Sequence, residues 1–234
     1  MKSTSRLYMI PSLLDETAIH SVPPYILDSV RECQVLFVEN ERSARRFLKS
    51  LDKSILIDQF EWITLHKTED LAIDILKKKI NEGKIMGVIS EAGCPGIADP
   101  GQTLASVAQE MGIQVIPLVG PSSILLALMA SGLNGQQFRF AGYLPIDKME
   151  RQQRIRELEA DSHKTNCTQI FIETPYRNNQ MIDTLLKTCK ASTRLCIAVN
   201  ITGPNEKIQT KHISEWKQKP PDIQKEPAIF LLMG

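Results

Sequence analysis

Three short segments hold residues whose types and spacing suit chemistry. The longest, Ser90 to Gly101 (SEAGCPGIADPG), leaves the apolar run Ile85 to Ile89, and ligands in open parallel sheets sit just beyond the carboxyl ends of strands. Gly93, Gly96 and Gly101 let backbone approach a ligand closely, while Pro95 and Pro100 hold the loop in one shape. Asp99 is placed to fold back on backbone N–H groups, as Asx residues do in turns. A connection that only joins strand to helix spends roughly two to six residues, and this one spends about twice that. The second segment, Gly120 to Ser123 (GPSS), also follows a strand and opens a helix. It offers free N–H groups and two hydroxyls to polar ligand atoms, although a proline-started, serine-capped helix without a ligand reads the same way. In the third, Glu173 to Arg177 (ETPYR), a carboxylate and a guanidinium emerge together after the run Gln169 to Ile172. That pairing suits either a site or an ion pair that pins the turn.

These segments need a scaffold, and the pattern around them supplies one. Apolar runs rich in Val, Ile and Phe recur at Leu7 to Ile10, Val35 to Val38, Ile85 to Ile89 and Val115 to Val119, which reads as buried strands. Amphipathic stretches lie between them at Tyr25 to Cys33, Ser43 to Leu51, Thr68 to Ile80 and Gln102 to Met111. The alternation predicts a mostly parallel sheet with helices on both faces. Ser43 and Thr68 are expected N-caps, and Gly83 and Gly112 helix stops. The segment Ile124 to Leu133 is apolar all round and is expected to be a buried helix ending at Gly132. Near FRFAGYLP, Phe138 to Pro145, the pattern changes. A charged helix from Asp147 to about Ala160 follows. Beyond it come strands at Gln169 to Ile172, Leu195 to Val199 and Pro227 to Met233, a helix around Asn178 to Cys189, and a polar β-like stretch at Glu206 to Ile213. The expected fold is α/β in two domains, 1–119 and 120–234, the second built on a mixed sheet.

Composition narrows the class. With 42% hydrophobic and 24% charged residues, folding is expected throughout. A net charge of +1 argues against holding nucleic acid through a strong overall field, leaving local patches. Arg42, Arg45, Arg46 and Lys49 fall on one face of their helix, and Lys148, Arg151 and Arg154 form a looser stripe. Solvated charged faces commonly look this way. The 5 cysteines include no CxxC pair, so a reducing cytoplasm is expected rather than a disulfide framework. The run Ile124 to Ala130 is too short to span a bilayer, which takes about 18–20 residues. Pro11, Asp15 and Glu16 spoil a signal-peptide reading of the start, which reads as a first strand. GxGxxG and GxxxxGK[ST] are both absent, against a Rossmann dinucleotide site or a P-loop. His20, His66, His163 and His212 are scattered, so no metal is expected and His66 reads as surface structure.

Taken together, LYMIP, SEAGCPGIADPG, PLVGPSS, GYLP and ETPYR resemble the tetrapyrrole methylase fold family of S-adenosylmethionine-dependent methyltransferases. The order and spacing match over nearly the whole chain. Within the family the likeness is closest to the branch that methylates a ribose 2′-hydroxyl of small-subunit ribosomal RNA, where the loop reads SDAGTPxxxDPG and the later turn PxPGPSA. The resemblance implies a homodimer, with S-adenosylmethionine held in a cleft between the two domains. It assigns the cofactor to Ser90, Glu91, Ala92, Gly93, Pro95, Ile97, Ser122, Ser123, Glu173 and Ala228. A ribose hydroxyl is weakly acidic and needs a proton acceptor late in methyl transfer, for which Glu39, Glu91 and Glu173 are candidates, Glu173 slightly favoured.

The chain also departs from that branch. TPIGNL becomes Pro11 to Glu16 (PSLLDE), EDTR becomes Glu39 to Arg42 (ENER), and ESPHR becomes Glu173 to Arg177. RELTK is replaced by Val199 to Gly203 (VNITG), which removes an arginine, a carboxylate and a lysine. Two other readings therefore stay open: methylation of a small, tetrapyrrole-like molecule, and a relative that binds the cofactor without catalysis.

Overall fold

A computed structural model describes residues 5–65 and 69–234; the expected N-cap Thr68 and the surface histidine His66 lie outside the described residues. The chain forms two units, Met1–Ser122 and Ser123–Gly234.

In the N-terminal unit the strands are β1 (Arg6–Ile10), β2 (Val35–Val38), β3 (Glu61–Thr64), β4 (Ile85–Ile89) and β5 (Gln114–Pro117), and the helices are α1 (Ile26–Glu32), α2 (Glu41–Leu51), α3 (Glu69–Asn81) and α4 (Gln102–Glu110). The sheet order is β3-β2-β4-β1-β5, with every pair parallel. Side chains alternate across a strand, so β1 and β2 feed two cores. Tyr8, Ile10, Leu36 and Val38 pack with Ile26, Val30, Phe47 and Leu48 of α1 and α2. Leu7, Val35 and Phe37 pack on the other face with Leu76, Leu104 and Val107 of α3 and α4. Coverage on both faces is why these strands read as continuous apolar runs.

Local chemistry departs from expectation in two places. Helix α2 begins earlier than its apolar pattern, because the Asn40 side chain accepts from the N–H groups of Arg42 (2.9 Å) and Ser43 (3.3 Å). Asn40, not Ser43, is the cap. Strand β3 is an edge strand with Glu61 and Thr64 exposed, too short and too polar to announce itself.

The C-terminal unit contains α5 (Ser123–Ser131), β6 (Phe138–Tyr143), α6 (Lys148–Thr165), β7 (Thr168–Ile172), α7 (Asn178–Thr188), β8 (Arg194–Val199), β9 (Lys207–His212), α8 (Ile213–Gln218) and β10 (Ala228–Met233). Its sheet order is β6-β7-β10-β8-β9; β6 and β7 are parallel and the other pairs antiparallel. Phe171 and Phe230 stack at 5.7 Å between neighbouring strands and join a core with Ile155 and Leu158 of α6, Leu185 of α7 and Trp216 of α8. Asp147 caps α6, accepting from Met149 N–H at 2.8 Å and Glu150 N–H at 3.0 Å. Helix α5 buries Ile124, Ala127 and Leu128 but leaves Leu125 and Met129 exposed, so the all-apolar helix is buried on one side only. Arg151, read as part of a surface stripe, is buried and donates to Thr184 Oγ1 (3.3 Å) and the Ile146 carbonyl (2.8 Å).

Candidate active site

The segment Ser90 to Gly101 begins at the carboxyl end of β4, a central strand of the N-terminal sheet. Its neighbour β1 is followed by Pro11 and Ser12, and Ser12 latches the loop. The Ser12 N–H donates to Gly93 O at 2.9 Å, and its hydroxyl donates to Ser90 O at 2.9 Å. Ser90 Oγ closes the turn from inside, donating to Gly93 O at 3.1 Å. Further along, Gly96 N–H donates to Pro100 O at 3.1 Å and Ile97 N–H to Cys94 O at 3.3 Å. The Cys94 thiol reaches Pro121 O at 3.6 Å, tying the loop to the turn after β5. Burial, with Asp99 nearby, pushes that thiol's pKa up, so it stays protonated.

Rigidity of this kind requires unusual backbone. Gly93 sits at φ +74°, and a Cβ there would come within 3.2 Å of Leu14 Cδ2 and 3.4 Å of Pro121 O. Ala98 occupies the left-handed region at φ +63° despite its side chain, a strain that folded loops keep where surrounding structure enforces it. Among the described residues, the N–H groups of Ala92 and Cys94 and the hydroxyls of Ser122 and Ser123 have no protein partner. Free donors on a stiff backbone suit the polar atoms of a ligand.

Glu39, at the end of β2, and Glu91 stand beside this loop. Glu39 Oε2 accepts from the Glu91 N–H at 3.4 Å, and Ser43 Oγ of α2 donates to Glu91 Oε1 at 3.2 Å. Asp99 does not fold back on backbone N–H groups; its half-buried carboxyl accepts no hydrogen bond among the described residues. Burial, reinforced by Glu39 and Glu91, pushes its pKa up to about 6. A carboxyl that binds its proton more tightly folded than unfolded subtracts stability as pH rises from its ordinary value of 3.8 through about 6, and the loss stays complete above that. Asp99→Asn is therefore expected to raise stability at pH 8 and to flatten the decline between pH 4 and 6. Discounted for solvent screening at a half-exposed site, the gain is about 1 kcal/mol, or roughly 2–4 °C in Tm. Thermal unfolding scans of both proteins at pH 4 and pH 8 measure it, and equal Tm differences at the two pH values would refute it.

In the C-terminal unit the ends of β7 and β8 and the start of β10 meet at one edge. Glu173 is buried; its Oε1 accepts from Arg177 Nη2 (2.6 Å), Arg177 Nε (3.0 Å) and Thr174 N–H (2.6 Å). Next to it Asn178 donates to Glu226 O at 2.6 Å, and Asn200 donates to Glu226 Oε2 at 2.9 Å. The altered segment after β8 is strained, with Asn200 at φ +51° and Thr202 at φ +72°. The buried Asn178 Oδ1 and Thr202 Oγ1 have no partner among the described residues. Ala228 opens β10 at this edge, paired with Val199.

The structure thus gathers Ser90, Glu91, Ala92, Gly93, Pro95, Ile97, Ser122 and Glu39 at the strand ends of the N-terminal unit, and Glu173 and Ala228 at a strand-end edge of the C-terminal unit; Ser123 is the first residue of α5. Ser12 is the positioning residue that the spacing did not single out. A hydroxyl two residues past a buried strand was its only signal.

Comparison with known proteins identifies the family. The family model for Tetrapyrrole (Corrin/Porphyrin) Methylases matches residues 26–216. A protein of Vibrio cholerae named ribosomal RNA small subunit methyltransferase I is 27% identical over 232 residues, covering 97% of this chain and 77% of that one. Its namesake in Halalkalibacterium halodurans is 32% identical over 158 residues, covering 68% of this chain and 52% of the other. Among solved structures, a diphthine synthase superposes with a TM-score of 0.70 at 12% identity, covering 98% of this chain and 90% of that one, a likeness of fold. The chain belongs to the tetrapyrrole methylase family and is an S-adenosylmethionine-dependent methyltransferase.

Proposed function

We propose that this enzyme methylates a ribose 2′-hydroxyl of small-subunit ribosomal RNA, acting in the cytoplasm as a homodimer. The observation that carries the reading is the near-complete coverage of the chain by relatives named for small-subunit ribosomal RNA methylation. For the setting, no described helix is long and apolar enough to cross a membrane. For the dimer, exposed Leu125, Met129, Tyr143, Ile146 and Met149 offer apolar area that a second copy would cover.

In the N-terminal unit the residues that hold the cofactor are Ser90 to Ile97 and Ser122, and in the C-terminal unit Ser123, Glu173 and Ala228. S-adenosylmethionine supplies an electrophilic methyl group on a sulfonium, and the protein supplies orientation. The chain's task is to hold the hydroxyl in line and to take its proton as the new carbon–oxygen bond forms. Glu173 is engaged by Arg177 and Thr174, which suits it to positioning its loop. The carboxylates of Glu39 and Glu91 are more open to solvent and suit proton acceptance.

Mapping ribose methylation on ribosomal RNA from a strain lacking the gene tests the reading. One small-subunit nucleotide should lose its methyl group and regain it when the gene is restored. An unchanged map would refute the proposal.

A further inference from the structure

We infer that the edge formed by β9, α8 and the turn before β8 is an RNA-docking face, contacting the phosphate backbone of the substrate through lysines. The inference rests on the ribosomal RNA reading above and goes on to name where the RNA is held.

Charge is distributed unevenly along the chain. Residues 190–219 carry Lys190, Arg194, Lys207, Lys211, Lys217 and Lys219 against only Glu206 and Glu215. Both acids are turned to local backbone: Glu206 Oε2 accepts from Thr202 N–H at 2.7 Å, and Glu215 Oε2 accepts from His212 N–H at 2.9 Å. None of the five lysines forms an ion pair among the described residues. Lys190, Lys207, Lys217 and Lys219 are exposed.

The fold joins these lysines into one rim. Strand β9 ends the sheet, and alternation places Lys207 and Lys211 on the same side of it. Lys211 Nζ lies 4.6 Å from the Trp216 ring centre, which brings it against α8; Lys217 and Lys219 follow in sequence. The turn carrying Lys190 is bolted to the start of α8 by Ile213 N–H to Thr193 O (2.9 Å) and Ser214 N–H to Ala191 O (3.1 Å).

Of the four cations in the α2 stripe that the sequence suggested, three are occupied, and exposed Arg42 alone forms no ion pair among the described residues. Arg46 is bound to Glu16 at 2.5 Å, and Arg45 to Glu41 with its guanidinium 5.3 Å from the Trp62 ring centre. Lys49 Nζ donates to the carbonyls of Lys53 (2.9 Å) and Ile55 (2.8 Å). Unpaired lysines are compact point charges suited to phosphates rather than to base edges, and a repeated phosphate chain matches a rim better than a single acidic side chain would.

The test uses the full chain, labelled S-adenosylmethionine and purified bacterial small ribosomal subunits. Lys190→Gln, Lys207→Gln and Lys219→Gln are combined in one variant. A control combines Lys53→Gln, Lys77→Gln and Lys78→Gln, which removes the same charge from exposed positions of the N-terminal unit. Calorimetric S-adenosylmethionine affinity should match the unaltered protein in both, which reports an intact fold. The rim variant should show a KM for subunits raised about tenfold, an unchanged kcat, and a salt dependence of log KM shallower by about 2, from three lost phosphate contacts. The control should match the unaltered protein. Unchanged KM and slope in the rim variant, or an equal loss in the control, would overturn the inference while leaving the ribosomal RNA reading intact. A KM defect confined to whole subunits and absent on protein-free ribosomal RNA would assign the face to a ribosomal protein and overturn the phosphate contact. Failure of the unaltered protein to methylate subunits would instead remove the reading on which the inference rests.

Discussion

Arg177→Ala should lower the unfolding free energy of the C-terminal unit by about 3 kcal/mol, the low end of the cost of breaking a buried ion pair. The Glu173 side chain is 1% exposed and Arg177 25% exposed, with 2.6 Å between Nη2 and Oε1. Removing the guanidinium strips this carboxylate, buried in the intact protein, of its counter-charge and leaves the Thr174 N–H, at 2.6 Å, as its remaining donor among the described residues. The loss therefore reflects the stranded charge more than the net worth of the pair. Adding Glu173→Gln to Arg177→Ala should recover more than half of it, because the amide carries no charge. Urea unfolding of the two single variants and the double variant gives the coupling. Equal destabilisation by Arg177→Ala with and without Glu173→Gln would show that the charge is not what matters.

A second large effect is expected at Gly120, where a side chain has no room. A Cβ there would lie 2.3 Å from both Cβ and Cγ of Pro11, and a proline ring cannot swing aside as a long side chain can. Gly120→Ala must move either the end of β1 or the turn after β5. Both carry the loop, since Ser12 follows Pro11 and holds Gly93 and Ser90, and Pro121 O receives the Cys94 thiol. Overpacking of this kind costs about 1–3 kcal/mol. S-adenosylmethionine affinity is expected to fall at least tenfold, read by calorimetry. Gly112→Ala is the matched control: its left-handed backbone at φ +67° penalises alanine, yet a Cβ meets nothing within 4 Å. It should lose about 1 kcal/mol of stability and no affinity. Equal affinity losses in the two variants would show that general destabilisation, not loop displacement, controls binding.

How far the sequence revealed this arrangement depends on what each element buries. β2 and β4 were legible to the residue because both of their faces are covered, so every position is apolar. Edge strand β3 was not legible: four residues with exposed ends carry neither a run nor a usable alternation. Helix α8 was also missed, as its six residues bury only Ile213 and Trp216. At the candidate site, the position and stiffness of Ser90 to Gly101 followed from a strand end, three glycines and two prolines. Its fastening did not, because Ser12 and Gly93 are far apart in the chain and only parallel pairing of β1 with β4 brings them together. Sequence periodicity also could not distinguish free cations from engaged ones. Arg45, Arg46 and Lys49 share a helical face, yet their partners come from separate segments, whereas the lysines near β9 gave no periodic signal and form no ion pair among the described residues.

The place of β1 inside the N-terminal sheet, between β4 and β5, has a consequence for how the protein is made. β1 is synthesised before the other strands of its unit, yet among the described residues it pairs with β4 and β5 alone, Arg6 standing opposite Ile85 and Gln114. During translation this apolar segment must wait, with its edges open, for most of its unit to leave the ribosome. Such long-range parallel pairing is slow to form and exposed to aggregation. Because the unit is one continuous stretch ending at Ser122, it has all its strands before the second sheet is translated. Yield in cells should thus depend on chaperone protection of the nascent chain before Gln114 emerges.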